Sequence, residues 1–431
     1  MSDTELTVSH PLRVKVDLRG LDFNGLVQAI AEAAAQACGE LLGQVMRAVE
    51  REVIARQPGR WENRGQQTRT LRVSWGEVTI RRTRVRDRLT SKTYNLADRL
   101  LRLAPRVRRG VSEVRTACEL AAELSYRRAR YWWERLTGLR TSVMNFWRMV
   151  QQAGAKLAWR ERSSVGEIEP GARPPRAVRR LYLEADGAWL RRQRGYRHRT
   201  EDSRLAIVST APRGMLLYVG ASYSQLHRTG RRRWNAIDKQ VSVELQDLRA
   251  FGRQWGWQVS RRFDLARTPN VLFVCDGEDG LLRLPRRHFR SALVQLDRFH
   301  VHRQLGRAFG LQTPGYQRAL SSLCEGNLGT VRSLLALRGA GGRESVCREV
   351  RGYLDRHEAW LYTHRQWRAR TTVNKMGSGV IEKTIETQIN RRMKGRGMSW
   401  SPAGAQRLSK LRVLSLDPRR WEAFWSQQFG G

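Results

Sequence analysis

Two aspartates follow apolar runs of the kind that form buried strands. Asp186 ends the run LYLEAD and Asp276 ends LFVCD, and Gly187 and Gly277 follow them directly. A glycine lets the chain turn away, so the sequence predicts that both strands end at these carboxylates, at a sheet edge where ligands collect. Ordinary turn chemistry is the alternative, since Asp-Gly is a common turn dipeptide. In a chain with 80 Lys and Arg but 40 Asp and Glu, the pair is the best candidate for binding a divalent cation.

The segment MGSGVIEKTIETQINRRMKGRGMSW supplies a third candidate carboxylate. Ile381, Ile385 and Ile389 recur at every fourth position, which predicts a helix that packs this stripe on the sheet. Glu382 and Glu386 lie about 100° round from the stripe, where a glutamate could meet the two aspartates. The alternatives are a first-turn acid that complements the helix dipole, for Glu382, and an exposed helical neighbour, for Glu386.

The charge balance indicates a polyanionic partner. The chain of 431 residues carries a formal net charge of +40, which favours nucleic-acid binding. Biased codon usage is the alternative, although it explains arginine in place of lysine and not the shortage of acids. Four basic residues beyond the third candidate helix are predicted to lie along a phosphate backbone: Arg391, Arg392, Lys394 and Arg396.

The N-terminal residues, the hydropathy and the cysteines indicate the cellular compartment of the protein. No apolar run approaches the ~18 residues needed to span a bilayer, and the first residues lack the order of a signal peptide. The five cysteines form no CxxC pair, so neither disulfides nor structural zinc are expected. We therefore expect a cytoplasmic, nucleoid-associated protein with no membrane partner.

Three helical stretches between 111 and 157 are typical of a helix-turn-helix module. Ser125 and Thr141 are placed to cap the second and third helices, and Gly138 to end the second. The third helix would enter a major groove of DNA. Its groove-facing side comprises Ser142, Asn145 and Arg148. Its packing side comprises Val143, Phe146 and Val150. The alternative is a three-helix bundle that does not contact DNA.

Two further elements are predicted before this module. A long amphipathic helix at 24–56, which packs or dimerises, has an apolar face made of Val27, Ile30, Ala34, Cys38, Leu41, Leu42 and Val45. TLRVSWGEVTIRRTRVRD alternates apolar and polar residues, which predicts a β-hairpin that turns at Gly76 and Glu77. Its first strand has Leu71, Val73 and Trp75 on one side.

After a polar linker at 160–177 the pattern favours a mixed α/β sheet. Apolar runs predict strands at 179–186, 188–196, 205–211, 215–223, 270–276 and 292–297. A helix is predicted at 237–255, and helical texture returns at 303–372.

The order of two strand aspartates and a helical glutamate resembles the RNase H-like catalytic domain of DDE transposases, specifically the bacterial ISLre-type insertion-sequence group. In that group the first acid ends a strand in Asp-Gly-Ala, as Asp186 does here, and the second lies in an Asp-Gly turn, as Asp276 does. LDRFHVHR, with Asp297 and His300, matches the (C/D)xxH pattern of the wider Mutator-like assemblage. In that group the third acid lies about eighteen residues before a Met-x-Trp-Ser, as Glu382 does here.

The resemblance implies an α/β RNase H-like catalytic domain with a helical insertion, preceded by an α+β N-terminal region that contains the helix-turn-helix-like module. The corresponding domains are an accessory region at 1–105, the DNA-binding module at 106–165, the first part of the catalytic core at 175–302, the insertion at 303–372, and the last core helix with a basic tail at 373–431.

The resemblance also implies an activity. A DDE transposase binds the terminal inverted repeats of an insertion sequence and catalyses metal-dependent cleavage and strand transfer of phosphodiesters. Asp186, Asp276 and Glu382 would bind two Mg²⁺ or Mn²⁺ ions, with Asp186 between them. His300 would contact the scissile phosphate or orient a ligand, unless it is structural, and Asp297 would be a positioning group. The partners would be double-stranded DNA of the element ends and target, bound by a homodimer or higher oligomer.

Two other classes of function stay open. The chain could be a catalytically inactive, domesticated descendant that binds DNA as an architectural protein. It could also be an RNase H-like nuclease or junction resolvase, which the helix-turn-helix and the insertion disfavour.

Overall fold

The structure is a computed structural model that describes residues 8–11, 13, 23–73, 76–100, 110–167, 174–193, 197–199, 205–207, 213–230, 233–371 and 378–426. The chain divides into two compact units. One comprises 1–153 and 418–431, and the other comprises 154–417. The helix at Pro418–Ser426 therefore groups with the N-terminal unit, whereas the sequence assigned it to the catalytic half.

The N-terminal unit begins with a long helix and a small antiparallel sheet. Its first elements are α1 at Phe23–Ala55, β1 at Trp61–Val73, β2 at Gly76–Asp87, β3 at Thr93–Asn95 and α2 at Leu96–Leu100. The predicted helix is thus confirmed, but its apolar face is covered unevenly: Val27 and Ile30 are exposed, while Met46 packs on Val78 and Ile80 of the hairpin.

The hairpin is confirmed, with a correction to its turn. β1 and β2 pair in antiparallel register down to Val73 opposite Gly76. Gly76 and Glu77 therefore begin the second strand and do not form the turn. Trp75 lies outside the described residues.

Three helices follow, as predicted: α3 at Val111–Glu123, α4 at Tyr126–Thr137 and α5 at Val143–Ser163. Ser125 caps α4 by accepting the backbone N–H of Arg128, and Gly138 ends α4 in the left-handed conformation. The cap of α5 was predicted one residue too early. The helix begins at Val143, and the Ser142 hydroxyl accepts a backbone N–H of its first turn, from Asn145, at 3.2 Å.

The packing face of α5 differs from the prediction at one position. Phe146 and Val150 are buried, as expected, but Val143 is 37% exposed and Met149 is buried in its stead. Residues three and four apart share a helix face, so Phe146, Met149 and Val150 form one stripe, while Val143 lies in the exposed first turn.

The second unit contains a five-stranded mixed sheet. The strands of this unit are β4 at Leu181–Arg191, β5 at Arg197–Arg199, β6 at Leu205–Ile207, β7 at Gly214–Tyr223, β8 at Gln225–Gly230, β9 at Arg233–Ile237, β10 at Gln240–Leu245, β11 at Val271–Cys275 and β12 at Ala292–Leu296. The sheet order is β10-β7-β4-β11-β12, with β10, β7 and β4 antiparallel and β4, β11 and β12 parallel. The remaining strands form two separate ribbons, β5 with β6 and β8 with β9.

Two predictions about these strands were wrong. The runs at 179–186 and 188–196 belong to one strand, β4, because Gly187 continues the ladder. The predicted helix at 237–255 is a strand, β10, followed by a helix that begins at Leu248. Val241 and Val243 alternate with polar residues in β10, and β-branched residues at alternate positions favour a strand.

Helices cover both faces of the sheet. The helices of this unit are α6 at Leu248–Arg262, α7 at Asp279–His288, α8 at Arg298–Phe309, α9 at Pro314–Glu325, α10 at Leu328–Arg338, α11 at Glu344–Arg356, α12 at Glu358–Leu361, α13 at Thr363–Thr371, α14 at Gly379–Thr384, α15 at Arg391–Met393 and α16 at Pro402–Ser415. The last helix of the chain, Pro418–Ser426, is α17. A π-helical segment occupies Ile385–Asn390, and the chain kinks between α10 and α11, where Gly341 and Gly342 have non-helical dihedral angles. The helical texture predicted at 303–372 is confirmed by α8 to α13, which begin slightly earlier, at Arg298.

Alternate residues of β4 face opposite sides of the sheet. Leu183 and Ala185 belong to a core beneath α6 and α7, which we term the α6 face. Tyr182 belongs to a core on the other side with Trp367 of α13 and Val380 of α14, which we term the α14 face. Because the alternation has a period of two, Glu184 and Asp186 share the side of Tyr182.

No helix among the described residues is long and apolar enough to cross a bilayer.

Candidate active site

The sheet register brings the two predicted aspartates together. β4 and β11 pair in parallel up to Ala185 opposite Cys275. Asp186 follows Ala185 in the sequence and Asp276 follows Cys275, and neighbouring strands lie about 4.8 Å apart. Val274, two residues before Asp276, belongs to the core of the α14 face, as Tyr182 does. Both carboxylates therefore continue the rows that face α14.

The predicted strand end is right for Asp276 and wrong for Asp186. Asp276 follows the last residue of β11, and Gly277 turns the chain with a φ of +97°. Asp186 lies inside β4, which continues to Arg191 in its pairing with β7. Gly187 is needed there for packing, since a Cβ would lie 2.6 Å from a methyl group of Leu216.

Asp186 is in an environment that opposes its charge. Burial raises its pKa to about 6, and the negative charges of Asp276 and Glu382 act in the same direction. The Gly187 N–H, which donates to Asp186 Oδ1 at 2.6 Å, and the nearby His300 act the other way. His300 is thus a positively charged neighbour that lowers the pKa of Asp186.

Glu382 comes from a helix that the predicted isoleucine stripe packs on the sheet. Ile381, Ile385 and Ile389 are all buried, as expected. Residues four apart advance about 40° round an α-helix, so a long stripe of this kind drifts away from its contact. The π-helical segment Ile385–Asn390 has wider turns and reduces that drift. The stripe thus stays on the sheet over about two turns.

The two glutamates of this helix differ in surroundings. Glu382 is partly buried, and burial together with the charge of Asp297 raises its pKa. Glu386 is exposed and accepts a hydrogen bond from Asn390 Nδ2 at 3.0 Å. Glu382, and not Glu386, is therefore the glutamate that lies within electrostatic range of Asp186.

Two buried carboxylates anchor the start of α14. Asp297 accepts the Ser378 backbone N–H at 3.1 Å and the Ser378 hydroxyl at 2.7 Å. Glu184 accepts the Ile381 backbone N–H at 2.9 Å and the hydroxyl of Tyr223. First-turn N–H groups of a helix lack partners within the helix, and carboxylates are favoured there. The strand that carries Asp186 therefore also holds the helix that carries Glu382.

Asp297 also orients His300. The two side chains meet at 2.9 Å between Oδ2 and Nδ1. Burial opposes the charge on Asp297, but hydrogen bonds from His300, Ser378 and Phe299 outweigh it and lower its pKa. The same contact with Asp297 raises the pKa of His300. Because Nδ1 faces Asp297, Nε2 is the ring atom of His300 that is left to act on a ligand.

The predicted DNA contacts are exposed with one exception. Arg391, Lys394 and Arg396 are exposed, but Arg392 is 3% exposed and stacks on Trp400, with 5.3 Å between the guanidinium carbon and the ring centroid. Arg392 is therefore a packing residue, which corrects its assignment to DNA. In the other unit Asn145 and Arg148 are both exposed on α5, as are Ser142 and the first turn.

The carboxylates fit a divalent cation in chemistry and only partly in geometry. Oxygen ligands are those that Mg²⁺ and Mn²⁺ prefer, and two adjacent carboxylates that repel each other are suited to sharing a cation. In the described part of the chain, however, no three His, Cys, Asp or Glu side chains lie close enough together to hold one ion. Asp186 and Asp276 are the residues that could hold a metal, and Glu382, whose charge acts on Asp186, is the third candidate.

Sequence reasoning missed Glu184 and its partner Tyr223. Glu184 is fully buried in β4, two residues before Asp186. A charged residue inside the apolar run LYLEAD is the signal that could have found it, because buried carboxylates are retained where they accept hydrogen bonds.

Comparison with known proteins identifies a family. The family model described as "Uncharacterised protein family (UPF0236)" matches residues 17–428. No curated protein matches the sequence. Among solved structures, the "Drosophila P element transposase strand transfer complex" is similar over 75% of this chain and 81% of that chain, at 11% sequence identity and a TM-score of 0.26. A likeness at that level carries no argument about this chain.

Proposed function

This chain belongs to the uncharacterised protein family UPF0236, and we propose that it is a DDE-type DNA transposase of the ISLre-type insertion-sequence group. It would bind the terminal inverted repeats of its element and catalyse cleavage and strand transfer of phosphodiesters. The observation that carries the proposal is the register of β4 and β11, which makes Asp186 and Asp276 neighbours on the face covered by the Glu382 helix. The mixed five-stranded sheet supports an RNase H-like core.

The chemistry follows from the charges. A phosphodiester brings negative charge to carboxylates that already repel one another, so productive binding requires positive charge between them. Two Mg²⁺ or Mn²⁺ ions would supply it and would activate the attacking hydroxyl and stabilise the leaving oxygen. Asp186, Asp276 and Glu382 would be the residues that hold these ions. The anchoring of α14 by Glu184 and Asp297 would set the approach of Glu382.

His300 would act on the phosphate side of the site. With Nδ1 directed at Asp297, its Nε2 is free to hold a proton and donate it to a phosphate oxygen or to the leaving oxygen. Asp297 is a positioning residue in this scheme, because its oxygens are already engaged by His300, Ser378 and Phe299.

DNA recognition would use the helix-turn-helix-like module. Exposed polar side chains of α5, Asn145 and Arg148 among them, are of the kind that contact base edges in a major groove. Arg391, Lys394 and Arg396 would contact backbone phosphates. Because transposition joins two DNA ends, the active form would be a homodimer or higher oligomer on DNA.

Strand cleavage tests the proposal. Purified protein is incubated in Mg²⁺ with labelled duplex carrying the ends that flank its gene, as wild type, Glu382→Ala and the matched control Glu386→Ala. Wild type and the control should nick the ends at equal rates, while Glu382→Ala loses at least about 100-fold in rate, since it removes a group needed in the transition state. Affinity for the ends in EDTA should be the same for all three. Cleavage by Glu382→Ala at the wild-type rate would exclude Glu382 from the site.

One observation favours a second candidate, an inactive descendant that binds DNA as an architectural protein. The carboxylates are not gathered into a metal-binding group within the described residues. This candidate predicts specific binding to the element ends without cleavage in Mg²⁺ or Mn²⁺, by wild type and by both variants.

A further inference from the structure

A cleft of about 310 Å³ lies between α6 and α7, on the α6 face of the sheet. Leu248, Gly280 and Leu284 form the apolar part of its lining, and its charged or polar members are four arginines and one histidine: Arg249, Arg253, Arg283, Arg287 and His288. The two helices that form it belong to the core beneath that face, through Phe251 and Leu284 among others. Asp186 continues the row that faces the opposite side, so the cleft is separate from the candidate active site.

Glycines allow the two helices to approach closely enough to form this cleft. A Cβ on Gly252 would lie 2.8 Å from both His288 Nε2 and Leu284 Cδ2. A Cβ on Gly280 would lie 2.6 Å from Leu248 Cδ2. Real Cβ atoms do not tolerate such contacts, so larger residues would push the helices apart. The sequence thus brings arginines of two helices to one groove at the expense of helix propensity.

The arginines form two short rows. Arg249 and Arg253 are four residues apart on α6, and Arg283 and Arg287 are four residues apart on α7. This spacing places two guanidinium groups on one helix face, separated by about 6 Å along the axis. All four arginines are exposed. Like charges at this spacing destabilise a helix, so the arrangement requires compensation.

None of the four cleft arginines forms an ion pair with any residue that the structure describes. The nearest acid before α6, Asp247, instead accepts the backbone N–H of Ala250 as a helix cap.

We propose that the α6–α7 cleft binds the phosphate backbone of nucleic acid. Guanidinium groups are the preferred partners of phosphate oxygens, and two rows facing each other suit a polyanion better than a single ion. His288 adds a donor at the cleft wall. The choice of DNA as the ligand rests on the proposed function. The cleft would add a DNA contact on the face of the sheet away from the carboxylates.

The test is the salt dependence of binding to random-sequence duplex in EDTA. Each phosphate contact contributes about 0.9 to the slope of log K against log salt concentration. The double variant Arg283→Gln with Arg287→Gln should lower that slope by about 1 to 2. The matched control is Arg348→Gln with Arg351→Gln, which removes the same charge from exposed arginines of α11 that pair with Glu344 and Asp355. The control should leave the slope nearly unchanged.

Two further arms make the outcome decisive. The variant Arg283→Lys with Arg287→Lys keeps the charge and should retain most of the slope, and circular dichroism should show the same helix content for all variants. An unchanged slope in the glutamine variant, or an equal loss in the control, overturns the proposal. This test measures binding and not cleavage, so the two proposals can fail separately. If the protein binds DNA through the cleft but never cuts it, the transposase proposal fails and the cleft proposal stands.

Discussion

Asp186 and Asp276 lie on neighbouring strands, each one residue beyond Ala185 and Cys275, the last pair in the parallel register of β4 and β11. The two carboxylates are held differently. Asp186 sits within β4 and is fixed by pairing with β7 on its other side, whereas Asp276 begins the turn at Gly277. The Asp276 carboxylate is held as well, because its Oδ1 accepts the Glu278 backbone N–H at 3.0 Å. Both carboxylates are therefore positioned at this sheet edge before a ligand binds.

The first prediction concerns the free energy of unfolding of Asp186→Asn. Since the folded state raises the pKa of Asp186 from 3.8 to about 6, folding favours the protonated acid. This contribution is present below pH 4 and is lost as pH rises through 6, which costs up to about 3 kcal/mol at pH 8. Asn mimics the neutral form, so Asp186→Asn should be the more stable protein at pH 8 and similar to wild type at pH 4.

Urea unfolding in EDTA at the two pH values measures this difference. Added Mg²⁺ should stabilise the wild type at pH 8 and have less effect on Asp186→Asn, because a ligand that binds the folded state stabilises it. A variant that is less stable than wild type at pH 8 without metal would show that Asp186 is structural.

The second prediction concerns the pKa of His300 in Asp297→Asn. The contact with Asp297 is the largest cause that raises this pKa, so the substitution should lower it toward or below 6.5. Proton NMR titration of the imidazole Cε1–H signals measures the change. His288 is the internal control, because its pKa is lowered by burial and by Arg287 and Arg253, none of which the substitution touches. Equal shifts of both signals would indicate a general change of fold.

The sequence predicted best where chemistry is local. The caps at Ser125 and Gly138 and the helix of Ile381, Ile385 and Ile389 depend on neighbours within a few residues, and each is found as expected. The choice of Asp186 and Asp276 rested on acids after apolar runs, and the structure makes them neighbours.

The errors arise where distant parts of the chain decide. The strand β10 lies in a segment that also has helical spacing, and pairing with β7 selects the strand. Arg392 follows a basic pattern, but Trp400, eight residues on, covers it. Glu184 accepts hydrogen bonds from Ile381, nearly two hundred residues later, and from Tyr223 on a neighbouring strand. Such partners cannot be found from periodicity.

The third prediction concerns the anchor of α14. Glu184→Ala removes the acceptor of the Tyr223 hydroxyl and one of the two acceptors of the Ile381 N–H, which keeps the Ser378 carbonyl at 2.9 Å. A buried donor left unpaired costs about 1–3 kcal/mol, so the variant should lose about that much stability, and hydrogen exchange at the Ile381 amide should accelerate. Glu184→Gln, which retains one acceptor oxygen, should lose less. Glu386→Ala, on the exposed side of the same helix, should change stability by no more than about 0.5 kcal/mol.

The fourth prediction separates two costs of a side chain at Gly277, next to Asp276. Gly277 has a φ of +97°, and a Cβ there would lie 2.8 Å from Leu296 Cδ1 and 3.0 Å from His357 Nε2. Gly342 has a φ of +95° with nothing within 4 Å of the same position. Gly342→Ala should therefore cost only the backbone strain, about 1–2 kcal/mol. Gly277→Ala should cost about 1–3 kcal/mol more, because Leu296 and His357 must move. Urea unfolding of both variants measures the difference, and strand cleavage should fall only in Gly277→Ala, whose turn positions Asp276. Equal losses of stability would mean that the packing around this turn is loose and does not hold the carboxylate.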